Sequence, residues 1–584
     1  MVLALLVGIT PVLLAYLVPH HPPAPLVPRH PPAPRRRAPV AAQEAPALEL
    51  EFPLPLSPAQ KLQRAASFWV QVLPVIGSYL RLYSEFQVRE RVLGECLDEE
   101  QCEVLWEDEH DKGAAVLSRA INDLKGFYVK TGQIIASRQD LFPRQYTDAL
   151  SGLTDMLDPM PVELVRAVVK QELLHEGEAF EDVFSSFDVE PLGAASVAQV
   201  HRATLSAKYG GREVAVKVQR PAIEPKLLGD VANLKNLARW FRNNEAIPVD
   251  YYVVFSELEA QLADEFDFVK EAAAMERIGD LLASTIDGLP CAPPLLTPRP
   301  VAGLVTRRVL VMDYLRGEPL SRAVETMRAR GIDPDGPEAR LFGRRLLTAL
   351  TEAFGRTILE SGFFHADPHP GNIFVMDDGS IGLIDFGQVK QISGRARLTL
   401  AEVMLALAER RSDTDPDDLA TISRLALELG VKLKPGSPAE GPAATAMWLF
   451  DGSATTLPGG FDTGELSPNS PVQVLQSFPQ DLVLVGRSTV LIKGIAARLN
   501  VTWSLANQWA PIARKVLAPP SPLRAGGGGA GGKVRLRTVL AFFAQWLRGK
   551  VASAAMLLPA PLRRWLAAAA LRRAERDAVV RDGV

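Results

Sequence analysis

The sequence predicts an α+β protein with two lobes and a helical N-terminal extension. Residues 58–174 have the apolar spacing of helices. Short β-like runs follow at residues 197–205, 214–219 and 309–314. Beyond them the chain is mainly helical, except for two brief strands at residues 373–376 and 381–384. Strands followed by helices are typical of α+β proteins rather than of alternating α/β folds.

The composition is that of a globular protein in a reducing compartment. The 584 residues are 47% hydrophobic and 23% charged, with a net charge of −4, so the chain can bury a core. The length allows several domains or one elaborated domain. Three cysteines are too few for a disulfide framework or a metal site with four cysteines.

The N-terminal segment, residues 1–55, predicts targeting rather than folded structure. Residues 1–18 are uncharged and apolar, a Pro-, His- and Arg-rich stretch follows, and the first acidic residue is Glu44. An acid-free, Arg-containing N-terminus resembles an organelle transit peptide. A membrane anchor is the alternative, because 18 apolar residues are marginally long enough to span a bilayer.

The helical extension occupies residues 56–175. Within it Leu117, Ile121, Leu124 and Tyr128 recur at spacings of three and four, which indicates one buried stripe. The first lobe, residues 176–315, contains the first β-like runs. A helical pattern over residues 253–283 predicts one long helix between the second and third runs.

The second lobe, residues 316–520, is predicted to have a helix from Pro337 to about residue 359 and a loop over the Gly-, Pro-, Ser- and Thr-rich residues 433–470. Residues 521–584 form a Gly-rich linker and a basic tail. Residues 482–574 contain no Asp or Glu, which favours an anionic partner, although a solvated basic tail is an equal alternative.

Residues 533–556 fit an amphipathic helix at an anionic lipid surface, or equally a helix packed on the second lobe. A lipid surface is preferred, and no nucleic-acid partner is expected. Residues 527–533 match G-x-x-x-x-G-K, but Val534 replaces the Ser or Thr that binds Mg²⁺, and no strand precedes the motif. The P-loop interpretation therefore fails.

The strongest chemical signal is HADPHPGN at residues 365–372, followed by IDFG at residues 384–387. Phosphoryl transfer needs a carboxylate that orients the attacking hydroxyl, and oxygen ligands for Mg²⁺. Asp367 precedes Asn372 by five positions, as in the kinase catalytic loop, and Asp385 is the DFG aspartate. We therefore expect a kinase-like fold in which Asp367 orients the nucleophile and Asn372 and Asp385 bind Mg²⁺.

VAVK at residues 214–217 matches the kinase strand that ends in a phosphate-binding lysine. Lys217 is predicted to hold the phosphates of ATP or ADP, with Glu271 as its partner. The same predicted helix carries Asp264, Glu265 and Asp267, and a solvated acidic face is the ordinary meaning of such a cluster.

The Gly-rich kinase loop is absent, because residues 191–201 read PLGAASVAQVH, and no A-P-E follows the DFG sequence. A conventional Ser, Thr or Tyr kinase is therefore not expected. Alanines still let a backbone approach phosphate, although each Cβ restricts the loop. The predicted nucleotide contacts besides Lys217 are Gly193, Ala194, Ala195, Ser196, Val197, Asp313 and Leu315.

Together these motifs resemble the UbiB family of atypical kinases, also called aarF-domain-containing kinases. KTGQ at residues 130–133 resembles the family's K-x-G-Q motif, and residues 193–201 resemble its Ala-rich loop. EFD at residues 265–267 resembles its E-x-D element, and HADPHPGN and DFG complete the set. The resemblance covers residues 115–392. Gly193 departs from the family's usual three alanines.

The resemblance implies an extension that folds over the substrate side of the nucleotide site. Lys130, Gly132 and Gln133 would then face the nucleotide, with Lys130 and Gln133 meeting Glu265 and Asp267. Lys130 and Gln133 share a helical face by spacing. Glu265 and Asp267 would diverge on a regular helix, so their joint role rests on the family alone.

The resemblance also implies a membrane-associated ATP-dependent enzyme that supports prenylquinone or other isoprenoid-lipid metabolism. A chloroplast location, at plastoglobules or thylakoids, is expected, with the mitochondrion as the alternative. A second hypothesis is a nucleotide-dependent scaffold or lipid-handling chaperone with vestigial catalysis. A small-molecule phosphotransferase of the aminoglycoside-kinase type would share the H-x-D and metal-binding aspartate, but it leaves KTGQ unexplained.

Overall fold

The computed structural model describes residues 57–89, 99–124, 128–129, 132, 143–151, 159–240, 251–286, 289–434, 436–452, 457–463, 469–477, 480–499, 501–518, 562, 564 and 566–572. These residues divide into two compact units. The first lies within Met1–Arg212 and Val216–Phe266, the second within Glu213–Ala215 and Asp267–Val584. The predicted targeting segment, Lys130, Gln133 and residues 533–556 lie outside the described residues.

The first unit is mainly helical. Its helix α1 begins at a capping box, in which the Ser57 Oγ accepts the Gln60 N–H at 3.3 Å and the Gln60 side chain accepts the Ser57 N–H at 2.9 Å. The helices of this unit are α1 Pro58–Val88, α2 Glu99–Leu124, α3 Arg144–Ser151, α4 Val162–Leu173, α5 Phe180–Val183, α6 Ile223–Trp240 and α7 Tyr251–Glu265.

The apolar stripe predicted from the sequence is confirmed in the core of the first unit. Ile121 and Tyr128 are buried, and Leu117 and Leu124 pack against them. The Phe68 ring stacks on Tyr128 with ring centroids 4.8 Å apart. The other buried members of this cluster are Val129, Leu150, Ile223, Leu227, Val231, Leu262 and Phe266.

The strands of the first unit surround β3. They are β1 Phe184–Phe187, β2 Gly193–Ala194, β3 Ala198–Leu205 and β4 Glu213–Gln219, whose first three residues belong to the second unit. β1 and β2 both pair antiparallel with β3. Backbone hydrogen bonds from Leu205 to Arg212 and from Arg220 to Val197, both 2.9 Å, mark the two ends of the β3–β4 hairpin.

A strained turn connects β4 to α6. The Ile223 N–H donates to the Arg220 carbonyl at 3.4 Å, and between them lie Pro221 and Ala222. Ala222 has φ +59°, and among the described residues only Asp385 is another non-glycine residue with positive φ. Proline followed by a positive φ is the arrangement of a type II turn, in which glycine is normally preferred at the third position.

The predicted long helix over residues 253–283 is wrong as a single element. α7 ends at Glu265, and α8 Phe268–Leu282 begins afresh. The physical reason is Asp267, whose carboxylate accepts the N–H groups of Val269 at 3.1 Å and Lys270 at 3.3 Å. This side chain therefore caps α8 instead of lying within a helix.

The remaining strands of the second unit pair antiparallel with one another. β5 pairs with β6, β7 with β8, β10 with β13 and β14 with β15, while β11 lies between β12 and β9. The strands are β5 Ser284–Ile286, β6 Leu289–Cys291, β7 Pro300–Val305, β8 Val309–Asp313, β9 Gly317–Pro319, β10 Phe363–His365, β11 Ile373–Met376, β12 Ile381–Leu383, β13 Val389–Gln391, β14 Lys432–Leu433 and β15 Leu475–Ser477.

The other helices of the second unit are α9 Ala323–Ala329, α10 Pro337–Gly355, α11 Gly394–Glu409, α12 Pro416–Glu428, α13 Gly441–Phe450, α14 Gln480–Arg498 and α15 Leu505–Leu517. α10 ends as an α-helix at Gly355 and continues as a π-helical turn to Ser361. Its Thr351 carbonyl accepts the Trp509 indole N–H at 2.7 Å, which fixes α15 on α10. No described helix is both long and apolar enough to cross a membrane.

The loop predicted over residues 433–470 is wrong in part, because α13 lies inside it. All ten residues of α13 are buried. Its Gly441 and Pro442 stand in the first turn, where proline suits a helix start. Small residues such as Ala443 and Ala444 let neighbouring elements approach closely, so a composition that resembles a loop instead forms a core helix.

We expect Ala222→Gly to raise the free energy of unfolding by about 0.5–1 kcal/mol, because relief of the left-handed strain exceeds the entropy that glycine adds to the unfolded chain. The matched control is the exposed Ala273 inside α8, where the same change should lower that free energy by about 1 kcal/mol. Chemical denaturation of both variants measures the two signs. A loss of stability in Ala222→Gly would contradict the strain.

Candidate active site

The loop between β10 and β11 brings Asp367 and Asn372 together in the second unit. The Asn372 Nδ2 donates to the Asp367 carbonyl at 3.1 Å, and the Asn372 N–H donates to the His369 carbonyl at 2.9 Å. Because the Asn372 Nδ2 makes this hydrogen bond, the side-chain oxygen of Asn372 is the atom that could bind a metal. Asn372 is buried, whereas Asp367 is partly exposed.

Asp385 follows β12 and lies beside this loop. The Ile384 N–H donates to the Asn372 carbonyl at 2.9 Å, which fixes the two predicted metal ligands on neighbouring stretches of backbone. Asp385 is exposed and has φ +60°, and its Oδ1 accepts the Gly387 N–H at 3.3 Å. Sparsely populated backbone conformations of this kind cluster at functional sites.

His365 joins the two segments, a role that the sequence reasoning missed. Its Nε2 lies 2.7 Å from the Asp385 carbonyl, and its Nδ1 accepts the Asp367 N–H at 3.3 Å. Nε2 therefore carries the hydrogen, and the ring is neutral. Burial lowers the pKa of His365, which keeps it neutral. The sequence does carry one signal for this role: His365 stands two residues before Asp367, at the end of a buried strand.

His369 also lies within this loop. Its Nδ1 accepts the Gly371 N–H at 3.0 Å, and its Nε2 is 4.0 Å from the Asp367 Oδ2. A Cβ added to Gly371 would stand 2.6 Å from the imidazole, so the ring packs over a position that only glycine leaves open. No role for His369 was predicted from the sequence.

Leu315 lies beside β12, the strand that precedes Asp385, and Asp313 pairs with Arg299. The Arg299 N–H donates to the Asp313 Oδ2 at 3.1 Å, and the Asp313 N–H donates to the Arg299 carbonyl at 2.9 Å. A Cβ built on Gly382 would lie 3.0 Å from the Leu315 Cδ1, so the leucine packs on β12. Leu315 is thus an apolar surface near Asp385 of the kind that could contact a nucleotide base.

Glu271 is buried in α8 of the second unit, and Lys217 lies half-buried on β4 of the first. Their predicted ion pair joins residues of two separately described units and stays a prediction.

Glu265 ends α7 in the first unit, while Asp267 caps α8 in the second. The expectation that Glu265 and Asp267 share one helix is therefore wrong. Gly132 is buried and helical.

The Ala-rich loop is the tip of the β2–β3 hairpin. Gly193 and Ala194 pair with Val200 and Gln199, and the Ala195 N–H donates to the Ala198 carbonyl at 2.8 Å. Gly193 does not have a positive φ, and a Cβ built there meets no atom within 4 Å. The departure from alanine at Gly193 therefore answers no steric requirement of the hairpin.

A buried polar network fixes the base of this hairpin. The Gln199 side chain accepts the Met160 N–H at 2.7 Å, donates to the Met160 carbonyl at 3.2 Å, and lies 2.8 Å from the His201 Nε2. The His201 Nδ1 donates to the Asp188 carbonyl at 2.9 Å. Gln199 and His201 are fully buried. Burial lowers the pKa of His201, so its Nε2 stays an acceptor for the amide.

The chain is similar to a known sequence family and to proteins of other organisms. The sequence model of the ABC1 atypical kinase-like domain matches residues 152–414. The Arabidopsis thaliana protein ACTIVITY OF BC1 COMPLEX KINASE 1, chloroplastic, is 30% identical over 419 residues, which are 70% of this chain and 56% of that protein. The uncharacterized protein slr0889 of Synechocystis is 33% identical over 301 residues, which are 50% of this chain and 69% of that protein.

Among solved structures, the complex of Rv3197 with erythromycin from Mycobacterium tuberculosis matches 71% of this chain and 98% of that chain. The sequences are 23% identical, and the TM-score is 0.45. This chain spans little more than half the length of the Arabidopsis relative, 56%.

We expect acidic pH to lower the free energy of unfolding through His201, at the base of the β2–β3 hairpin. The folded state holds this imidazole neutral, whereas the unfolded chain protonates it near its ordinary pKa of about 6.5. Its contribution to stability is therefore present above that pH and is lost as the pH falls below it. We expect the free energy of unfolding to decrease between pH 7 and pH 5, and to decrease less steeply in His201→Gln.

The matched control substitution is His175→Gln, the same change at an exposed histidine, and its slope of stability against pH is compared with that of His201→Gln. Urea denaturation at several pH values measures all three proteins. An equal slope in His201→Gln and in the parent protein would show that His201 is not held neutral.

Proposed function

Because the chain belongs to the ABC1 family of atypical kinases, also called the UbiB family, we propose that it is an ATP-dependent kinase or ATPase. The observation that supports this most directly is the joining of Asp367, Asn372 and Asp385 by backbone and His365 hydrogen bonds. These residue types are the ones that phosphoryl transfer requires.

The chain's own residues fit Mg²⁺ and a nucleotide. Asn372 and Asp385 offer an amide oxygen and a carboxylate, which are the hard oxygen ligands that Mg²⁺ prefers. Bound Mg²⁺ would neutralise charge on the phosphates. Asp367 would orient the acceptor hydroxyl or water, and Lys217, paired with Glu271, would hold the phosphates. Leu315 and the Ala-rich loop would contact the nucleotide, and Lys130 and Gln133 would limit access to the substrate side.

The cellular role that we propose is support of prenylquinone or other isoprenoid-lipid metabolism at a chloroplast membrane. The Arabidopsis relative is named as chloroplastic, and the acid-free N-terminal segment has the composition of a transit peptide. The basic tail would bind the anionic lipid surface. Plastoglobules or thylakoids are the proposed membranes.

Asp385→Asn and Asp367→Asn should each lower ATP turnover at least about 100-fold, because the first removes a metal-binding charge and the second removes the group that orients the nucleophile. The control is Asp377→Asn in the adjacent hairpin, an exposed carboxylate paired with Arg330 at 3.2 Å, which should keep turnover within about twofold. Phosphate release by the purified chain measures all three variants.

That assay also separates the enzyme from a nucleotide-dependent scaffold. Turnover by the parent chain, with and without liposomes and quinone-like phenols, is compared with nucleotide binding under the same conditions. Binding without any turnover, and cellular function that survives Asp385→Asn, would refute the enzyme and favour the scaffold.

Residues 1–56 fused to a fluorescent protein should direct it to plastids in plant or algal cells, because the segment lacks acidic residues before Glu44 and contains several arginines. Replacing Arg35, Arg36 and Arg37 with Glu should abolish import. Import into mitochondria would contradict the chloroplast proposal, and retention of the uncleaved fusion in a membrane would favour an anchor.

A further inference from the structure

Arg220 directly follows β4 and contacts the Ala-rich loop twice. Its backbone N–H donates to the Val197 carbonyl at 2.9 Å. Its side-chain Nε donates to the Ala195 carbonyl at 2.8 Å. The two acceptors lie on either side of Ser196, so one residue fixes the backbone on both sides of the hairpin tip.

The tip depends on such backbone contacts. Ala195 has no polar side chain, and its N–H and carbonyl are both used, by Ala198 and Arg220 respectively. The Ser196 residue is only 2% exposed. The tip is therefore positioned by the hydrogen bonds of its backbone together with Val197, which packs against the core cluster of the first unit.

The turn after β4 directs Arg220 towards the loop. The Arg220 carbonyl accepts the Ile223 N–H, and Pro221 restricts the following backbone. Arg220 is therefore held by the hydrogen bond to its own carbonyl as well as by the bonds it donates to Val197 and Ala195. A planar guanidinium with a donor at Nε also loses less conformational freedom per hydrogen bond than a flexible ammonium does.

We propose that Arg220 is a positioning residue for the nucleotide-binding loop, a role that rests on the proposed function. The oxygen of a carbonyl carries partial negative charge and repels phosphate. By holding the Ala195 and Val197 carbonyls, Arg220 keeps these oxygens away from the phosphates and preserves the loop conformation that receives them. The critical group is the Nε–H donor rather than the positive charge.

Three substitutions separate the donor from the charge. Arg220→Gln keeps a nitrogen donor at the same distance along the side chain and removes the charge. Arg220→Lys keeps the charge but places a methylene where Nε stood. Arg220→Met removes both. All three retain the backbone N–H that bonds Val197, so that hydrogen bond is common to the parent chain and the variants.

The measurements on the full-length chain are the affinity for Mg-ATP, backbone amide exchange over residues 193–201, and thermal denaturation. We expect Arg220→Lys and Arg220→Met to weaken ATP binding about tenfold or more and to speed loop exchange, while Arg220→Gln stays within about threefold of the parent chain. Parent-like binding by Arg220→Lys, with weakened binding by Arg220→Gln, would overturn the proposal, because charge would then be the critical property.

Two further outcomes are decisive. Equal loss of thermal stability in all three variants with unchanged loop exchange would show a purely structural arginine and would overturn the proposal. Absence of ATP binding by the parent chain would overturn the proposed function instead, and the exchange data would then still decide whether Arg220 positions the loop.

Discussion

The hydrogen bond from the buried His365 imidazole to the Asp385 carbonyl is the constraint on which the geometry of the candidate site depends. It joins two loops that leave different strands, and the opposite ring nitrogen accepts the Asp367 N–H. A protonated ring could not accept that hydrogen, so the neutral state produced by burial is part of the geometry. The exposed, left-handed Asp385 is therefore held through its backbone carbonyl.

α8 contacts both strands of the sheet that carries His365. Arg277 of α8 places its guanidinium 3.9 Å from the centre of the Phe363 ring in β10 and donates to the Gln391 side chain in β13 at 2.7 Å. At the end of α8, Arg356 donates to the carbonyls of Leu281, Leu282 and Ala283. Because Asp267 fixes where α8 begins, one capped helix supports both the buried Glu271 and the strands that carry the candidate site.

Features set by local sequence were predictable. The strand predicted at residues 373–376 matches β11, and the chain reverses after it at Asp378-Gly379, with Gly379 at φ +78°. The Asp267 cap is also local, but it was missed because the helical spacing of apolar residues continues across it. Features set by distant partners were not predictable, and α13 was missed because its small residues become apolar core only through neighbouring helices. His365, Gln199 and Arg220 likewise act on carbonyls that are far away in the sequence or unrecognisable from it.

The Ala-rich loop shows how such distant contacts change the interpretation of a motif. Alanine in place of glycine suggests that Cβ atoms restrict the loop. In the structure the restriction has other sources: pairing of β2 with β3, the Arg220 hydrogen bonds at the tip and the Gln199 contacts at the base. Gly193 has open space and an ordinary backbone, so it loosens a strand whose position those contacts already determine. The polar residues after the alanines, Gln199 and His201, therefore hold the conformation of the loop together with the alanines.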